Sequence, residues 1–303
     1  MLTEALEHYP KIHYAVASSQ LVFAMVGMGA TLATRDFIEI VKEPKPIITG
    51  SVYQLIGIPL LTVLLTTFLK LPPEIVVGMF MLAAMPGGSM SNVYTFLGKG
   101  NAALSVALTG LLTLTALVTA PLILRTFAST HLPPEIPMPV GVIIREIALY
   151  LLLPLSIGMS INRFAVNAAP IVSKWAIRAS LFFLGVLVVG SLGSGRLDIT
   201  AYGYKIPILI VAYCAFIQLS AEGVSRKILK LSRRDTTAIA IESSMKNINL
   251  GLLIAASLFT LEGPNAHFGT GLLFVLLLYG GASLAVSAGP ALANYKYQKK
   301  NPS

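Results

Sequence analysis

Long apolar runs separated by short polar segments dominate the chain. Each of nine low-charge runs approaches or exceeds the roughly 20 residues that a helix needs to cross a hydrocarbon core of about 30 Å. The runs lie at roughly 13–33, 46–68, 74–97, 101–124, 139–162, 175–193, 204–224, 236–260 and 268–294. This pattern predicts an all-α polytopic membrane protein with nine transmembrane helices.

The composition supports a membrane class and a single domain. Hydrophobic residues make up 55% of the 303 residues and charged residues 12%, against roughly 25% charged residues in soluble domains. The connecting segments are short, so we expect one membrane domain over 1–303. The first run is longer than the apolar part of a signal peptide, so we expect it to be retained in the mature protein. Cys214 is the single cysteine, which excludes a disulfide framework.

The net charge of +9 indicates topology rather than a nucleic-acid partner. With nine spans, fifteen of the 22 basic residues fall on the side of the carboxy terminus and six on the other, while Lys246 lies inside a span. The positive-inside rule then predicts an external amino terminus and a cytoplasmic carboxy terminus in the plasma (inner) membrane.

Two of the runs are interrupted by residues that disfavour a membrane helix. MPGGSMSN (85–92) lies in the third run, where proline and glycine are expected to break the helix. ESSMKNINLG (242–251) brings polar residues into the eighth run, and 243–248 matches 88–93 at four of six positions. Paired interruptions are typical of secondary transporters built from inverted repeats. Alternatively, Gly and Pro are simply frequent in membrane helices, and Ser and Asn hold neighbouring helices together.

Glu242 and Lys246 are ionisable residues inside a span, where a charge costs roughly 2.5–3.5 kcal/mol and usually has a function. Their i,i+4 spacing would let them pair on one face of a continuous helix, which is a purely structural alternative. Glu242 can also provide the negative charge for a sodium ion, which prefers hard oxygen ligands.

Neutral oxygens for such an ion are available nearby. Ser91 and Asn92 lie in the interrupted third run, and Ser105 and Thr109 share one face of the fourth. The amino-terminal ends of broken helices would attract an anionic group. A cation and an organic anion in one cavity indicate a symporter.

Other functional classes find little support. No nucleotide-binding P-loop motif occurs, which argues against an ATP-driven pump. No Ser, His and Asp share a common depth in the predicted spans, so we expect no enzyme activity.

Several motifs together resemble the bile acid:sodium symporter (BASS) family, over residues 20–290. They are GMGATL (27–32), DF (36–37), Gln54 five residues before Pro59, PGGSMSNV (86–93), GKGNAALSVALT (98–109) and IESSMKN (241–247). The resemblance implies a bacterial homologue with core and panel domains and two discontinuous helices that cross. It also implies a first repeat at about 13–124 that lacks one helix, and a second at about 139–294.

The resemblance also implies ligand sets. The first sodium site would consist of Ser91, Asn92, Ser105, Thr109 and Glu242. The second cation site would consist of Gln54, Glu242, the backbone around Ser243 and Met245, and a glutamine that this chain replaces with Lys246. An ammonium group is a compact positive charge, so one sodium is expected, with Lys246 in place of the second. The organic anion, from bile acids to small organic acids, would contact Ser89, Asn92 and Asn247.

The leading hypothesis is therefore sodium-coupled symport of an organic anion by alternating access. The alternatives are a cation/proton antiporter that uses Glu242 and Lys246, a sodium-independent organic anion transporter, and a sensor or channel-like protein without coupling. An arsenite-type permease would be expected to carry a cysteine in the fourth span, whereas Cys214 lies in the seventh. The expected partners are the organic anion and the lipid bilayer, without nucleic acid or an obligate protein partner.

Overall fold

The computed structural model describes residues 2–32, 44–133, 138–193, 202–259 and 265–300, with side chains from residue 12 onward. Within these ranges every regular element is a helix. The helices are α1 Leu2–Gly29, α2 Pro44–Phe68, α3 Pro73–Ala84, α4 Ser89–Leu97, α5 Ala102–His131, α6 Val140–Phe164, α7 Ala169–Gly193, α8 Lys205–Ile228, α9 Arg233–Ser244, α10 Ile248–Leu258 and α11 Ala266–Lys300.

Seven helices are long and apolar enough to cross a membrane, and α3 and α10 are shorter apolar helices. An all-helical polytopic membrane protein is thus confirmed, while nine crossings, inverted repeats and core and panel domains stay predictions. Several helices extend past the predicted apolar runs: α1 begins at Leu2, α7 at Ala169, and α11 continues to Lys300. Hydropathy marks the apolar part of a helix, whereas backbone hydrogen bonding continues into its polar ends.

Both predicted interruptions are confirmed as breaks in the helices. α3 ends at Ala84 and α4 begins at Ser89, because Pro86 lacks an N–H. The second break has no proline or glycine, and α9 ends at Ser244. There Asn247 starts α10 as its amino-terminal cap, since its Oδ1 accepts a hydrogen bond of 3.2 Å from the Leu250 N–H.

The two breaks pair with each other through their backbones. The Gly88 N–H donates to the Met245 carbonyl oxygen at 2.7 Å, and the Asn247 N–H donates to the Pro86 carbonyl oxygen at 2.8 Å. These bonds form an antiparallel bridge between Gly87 and Lys246. Backbone groups that leave a helix inside an apolar core therefore find partners in the other break.

The second break corrects one interpretation of the sequence. The proposed helical i,i+4 pair of Glu242 and Lys246 is wrong, because the helix that contains Glu242 ends two residues before Lys246. Among the described residues, no ion pair within 4.0 Å joins these two side chains.

On the predicted cytoplasmic side, side chains near helix ends bond to the backbone just beyond the ends of other helices. The Asn162 amide donates to the Leu32 carbonyl oxygen at 2.9 Å, and the Asn294 amide donates to the Gly98 carbonyl oxygen at 2.8 Å. On the predicted external side, the Tyr202 hydroxyl donates to Glu74 at 3.2 Å. The direction of insertion stays a prediction. Some residues used for the topology and the motifs lie outside the described residues. They are Arg35, Asp36, Phe37, Lys42, Arg196 and the side chain of Lys11.

Glycines bring α1 into backbone contact with α6. A Cβ added to Gly158 would lie 2.7 Å from the Ala30 nitrogen and 2.8 Å from the Gly29 Cα. α1 packs mainly against α6 and α7, and a Cβ on Gly27 would lie 2.9 Å from Ile177 of α7. The three helices therefore pack closely because these positions lack side chains.

We expect Gly158→Ala to destabilise the protein, because the methyl group cannot be accommodated between two backbones. Overpacking of this kind costs roughly 1–3 kcal/mol. The temperature of thermal unfolding of the purified protein measures the effect. Gly185→Ala in α7 is the matched control, since no atom lies within 4 Å of its added Cβ, and it should unfold at or slightly above the wild-type temperature. Equal unfolding temperatures for the two variants would contradict the packing argument.

Candidate functional site

A buried carboxylate lies beside the point where the break between α3 and α4 meets the break between α9 and α10, called the crossing below. Glu242, in the last turn of α9, is fully buried and accepts hydrogen bonds from three hydroxyl groups. Thr109 donates to Oε1 at 2.6 Å, Ser105 to Oε2 at 3.2 Å, and Ser91 also to Oε2. The negative charge is therefore surrounded by hydroxyl groups from α4 and α5.

Asn92 completes this group. Its Oδ1 lies 2.8 Å from the Ser105 hydroxyl and 3.2 Å from the Thr109 hydroxyl, so each of these hydroxyls shares its single proton between Asn92 and Glu242. The structure thus brings together all five residues predicted for the first sodium site. The predicted shared face of Ser105 and Thr109 is confirmed, since both hydroxyls point to the same carboxylate and the same amide.

One asparagine side chain joins the starts of the two helices that carry part of this group. Asn101 caps α5, with its Oδ1 accepting from the Leu104 N–H at 3.1 Å. Its Nδ2 donates to Asp235 near the start of α9 at 2.7 Å. One side chain therefore joins the starts of the two helices that carry Ser105, Thr109 and Glu242.

The chemistry of this group suits an alkali cation. It combines one carboxylate, three hydroxyls and one amide oxygen, all hard oxygen donors. Within the described ranges no three His, Cys, Asp or Glu side chains form a group that could hold a metal ion. The group, called the oxygen cluster below, comprises Ser91, Asn92, Ser105, Thr109 and Glu242.

Lys246 lies next to this cluster and bonds in another direction. Its side chain is 4% exposed, and its Nζ donates to Gln54 Oε1 at 3.0 Å. Gln54 is buried in a π-helical turn of α2, Tyr53–Gly57. The ammonium of Lys246 therefore contacts the side chain predicted to bind a second cation.

Other predicted members of the second cation site are partly engaged. The Met245 carbonyl oxygen accepts the bond from Gly88 in the bridge. Among the described residues, Ser243 Oγ and Gln54 Nε2 are buried without a hydrogen-bond partner. The structure therefore brings Gln54 and Lys246 together, while the Ser243 hydroxyl keeps an unused oxygen.

A cavity of about 450 Å³ lies at the crossing. Ser89, at the start of α4, and Asn247, the cap of α10, line its polar end together with Lys246, whereas leucines of α7 and α11 line much of the rest. Two helix amino termini at the cavity favour an anionic group. Asn92, predicted for both sites, belongs to the oxygen cluster and is not among the described residues that line the cavity.

Several residues that support the site have roles that only the structure reveals. A Cβ on Gly87 would overlap the Glu242 carboxylate, so only glycine allows this approach. The Ser244 hydroxyl contacts Gln218 at 3.1 Å and Ser287 at 3.0 Å, and the Ser244 carbonyl oxygen accepts from Tyr279 at 2.8 Å. Polar residues within apolar runs were a signal for Gln218 and Ser287, but their common partner depends on the fold.

Comparison with known proteins assigns a family. The model of the Sodium Bile acid symporter family matches residues 19–194. The chain is 34% identical over 263 residues to the "Uncharacterized sodium-dependent transporter YocS" of Bacillus subtilis (strain 168), covering 83% of this chain and 78% of that protein.

More distant relatives are longer than this chain. It is 26% identical to the "Probable sodium/metabolite cotransporter BASS1, chloroplastic" of Arabidopsis thaliana, covering 79% of this chain. It is 27% identical to the "Sodium/bile acid cotransporter 4" of Mus musculus, covering 85% of this chain. The match spans 58% of each of these two relatives.

We expect Gly87→Ala to destabilise the protein in sodium-free buffer, because the added methyl would displace the Glu242 carboxylate from its hydroxyl donors. The expected loss is roughly 1–3 kcal/mol, measured as a lower temperature of thermal unfolding. Gly289→Ala in α11 is the control, since no atom lies within 4 Å of its added Cβ. An unchanged unfolding temperature for Gly87→Ala would show that the carboxylate does not need this close approach.

Proposed function

The chain belongs to the sodium bile acid symporter family, and we propose that it is a secondary active transporter that couples sodium to the uptake of an organic anion. The proposed cargo is a bile acid-like molecule or a small organic acid. The observation that carries this proposal is the buried Glu242 carboxylate, held by Ser105 and Thr109 beside a cavity with two helix amino termini. The printed names of the relatives, which describe sodium-dependent transport, support it.

Sodium binds in the oxygen cluster in this proposal. A hydroxyl group that donates its proton to Glu242 keeps lone pairs that can face an ion. The cluster therefore supplies neutral oxygens and one negative charge without losing its own hydrogen bonds. The site lies in α4, α5 and α9, so sodium binding would stabilise their relative positions.

Lys246 takes the place of a second sodium in this proposal. Its ammonium already donates to Gln54 at 3.0 Å, and an ammonium supplies the positive charge that a sodium ion would bring. Gln54, Glu242, Ser243 and Met245 would then surround a cation that is part of the chain. The transporter would accordingly bind one sodium per cycle.

The organic anion binds in the cavity in this proposal. Its charged group would face Ser89 and Asn247 at the amino termini of α4 and α10, and its apolar part would contact leucines of α7 and α11. We assign Asn92 to the oxygen cluster, next to the cargo. Because α4 supplies residues to both sites, binding of either ligand orders the other's surroundings.

Alternating access follows from the packing. We propose that α1, α6 and α7, joined by their glycines, form the panel, and that the remaining helices form the core. The cavity lies where Leu184 and Val188 of α7 face α4, α10 and α11. Movement of the core against the panel would open this cavity to either side. The amino terminus would lie outside and the carboxy terminus in the cytoplasm of the plasma membrane.

We expect Glu242→Gln to abolish the thermal stabilisation of the purified protein by sodium. The amide keeps the size and part of the hydrogen bonding but removes the negative charge of the oxygen cluster. Bonds to charged groups contribute about 1.5–3 kcal/mol each, so sodium affinity should fall by about 100-fold or more. Titration of the unfolding temperature with NaCl, against choline chloride at equal ionic strength, measures this.

Two further variants calibrate the result. Ser105→Ala removes one neutral oxygen and should weaken sodium binding by roughly 10-fold. Glu222→Gln in α8 removes a carboxylate outside the cluster and should leave sodium binding unchanged. Undiminished sodium stabilisation of Glu242→Gln would refute the assignment of the sodium site.

We expect Lys246→Gln to gain a second sodium dependence, because the neutral amide leaves room and an oxygen for an ion. The wild-type protein should titrate with a Hill slope of about 1, and the variant with a slope between 1 and 2. Lys296→Gln, at an exposed position of α11, is the matched control. A variant with the wild-type midpoint and slope would show that Lys246 does not substitute for an ion.

A further inference from the structure

Two buried side chains of opposite charge lie at the crossing. Lys246 is the only charged residue among the described residues that line the cavity, and Glu242 supplies the negative charge of the oxygen cluster behind it. Both side chains are buried, at 4% and 0% exposure. The crossing therefore holds one positive and one negative charge before any ligand binds.

The bridge fixes both charges to one backbone element. Lys246 pairs directly with Gly87, and the Glu242 carboxylate lies against the Cα of the same glycine. The two charges are therefore held next to the same glycine.

A buried charge without a counter-charge is costly in an apolar environment. Sodium alone would bring the net charge of the crossing to +1, and a monovalent anion alone would bring it to −1. The empty site and the site that holds both ligands are each neutral. Only these two states avoid an uncompensated buried charge while the protein changes conformation.

We infer that the protein carries one sodium ion and one monovalent organic anion as a neutral pair, so that transport moves no net charge. This inference rests on the proposed function and adds the charge class of the cargo. Lys246 is the residue that determines this class, since its charge balances Glu242 in the empty state. A divalent anion would leave the loaded site negative and is therefore selected against.

Flux in proteoliposomes with the full chain tests the inference. Taurocholate and pantoate are the monovalent probes and succinate is the divalent probe, with the membrane potential set by potassium gradients and valinomycin. A tenfold sodium gradient should accumulate a monovalent probe about tenfold. Changing the potential by about 60 mV should alter this accumulation less than twofold, whereas one net charge per cycle would alter it about tenfold.

Lys246→Gln should convert the transporter to a potential-dependent one. In this variant a second sodium ion takes the place of the ammonium, so each cycle moves two sodium ions with one monovalent anion and therefore one net positive charge. Accumulation should then change about tenfold for about 60 mV. Lys296→Gln should behave as wild type. Potential-dependent uptake by the wild-type protein, or succinate uptake faster than that of both monovalent probes, would overturn the inference.

A second measurement does not depend on the choice of cargo. Sodium concentration jumps on proteoliposomes adsorbed to a solid-supported membrane displace charge when sodium binds. The charge displaced by Lys246→Gln should be about twice that of wild type at equal protein amount, and equal displacements would overturn the role given to Lys246. Absence of sodium-dependent uptake of all three probes, together with no displaced charge in wild type, would refute the proposed function itself.

Discussion

The backbone bridge between Gly87 and Lys246 is the constraint on which the rest of the site depends. Inside a membrane an unpaired N–H or C=O costs several kcal/mol because no water can replace the lost partner. One broken helix would leave such groups exposed. Two breaks that cross can satisfy each other, as those at Pro86 to Gly88 and Met245 to Asn247 do. Each break therefore provides the hydrogen-bond partners that the other one needs.

This pairing explains why polar chemistry collects at one depth. Each break starts a new helix whose amino terminus points into the protein, with Ser89 at one and Asn247 at the other. The breaks also place Glu242 at the end of α9, where hydroxyls of α4 and α5 reach it. The same glycines that permit the bridge leave the space for the carboxylate. The paired breaks thus determine both where the polar side chains lie and where the buried charge lies.

Much of this arrangement could be predicted from the sequence. Apolar runs indicated the helices, Pro86 indicated one break, and the oxygen-bearing residues of the third, fourth and eighth runs indicated the cluster. The register of the bridge could not be predicted, because it joins backbone groups whose pairing leaves no side-chain pattern. The contact between Lys246 and Gln54 was expected only from the family resemblance, because no pattern in the residues alone brings these two distant helices together.

The bridge has a consequence for biosynthesis. Its two halves lie about half the chain apart, so the first break enters the membrane well before its partner has been synthesised. Until the ribosome has delivered residues 245–247, the carbonyl of Pro86 and the N–H of Gly88 lack their native partners. The first break therefore depends on the carboxy-terminal half of the chain, and the insertion of α9 and α10 supplies its missing hydrogen-bond partners.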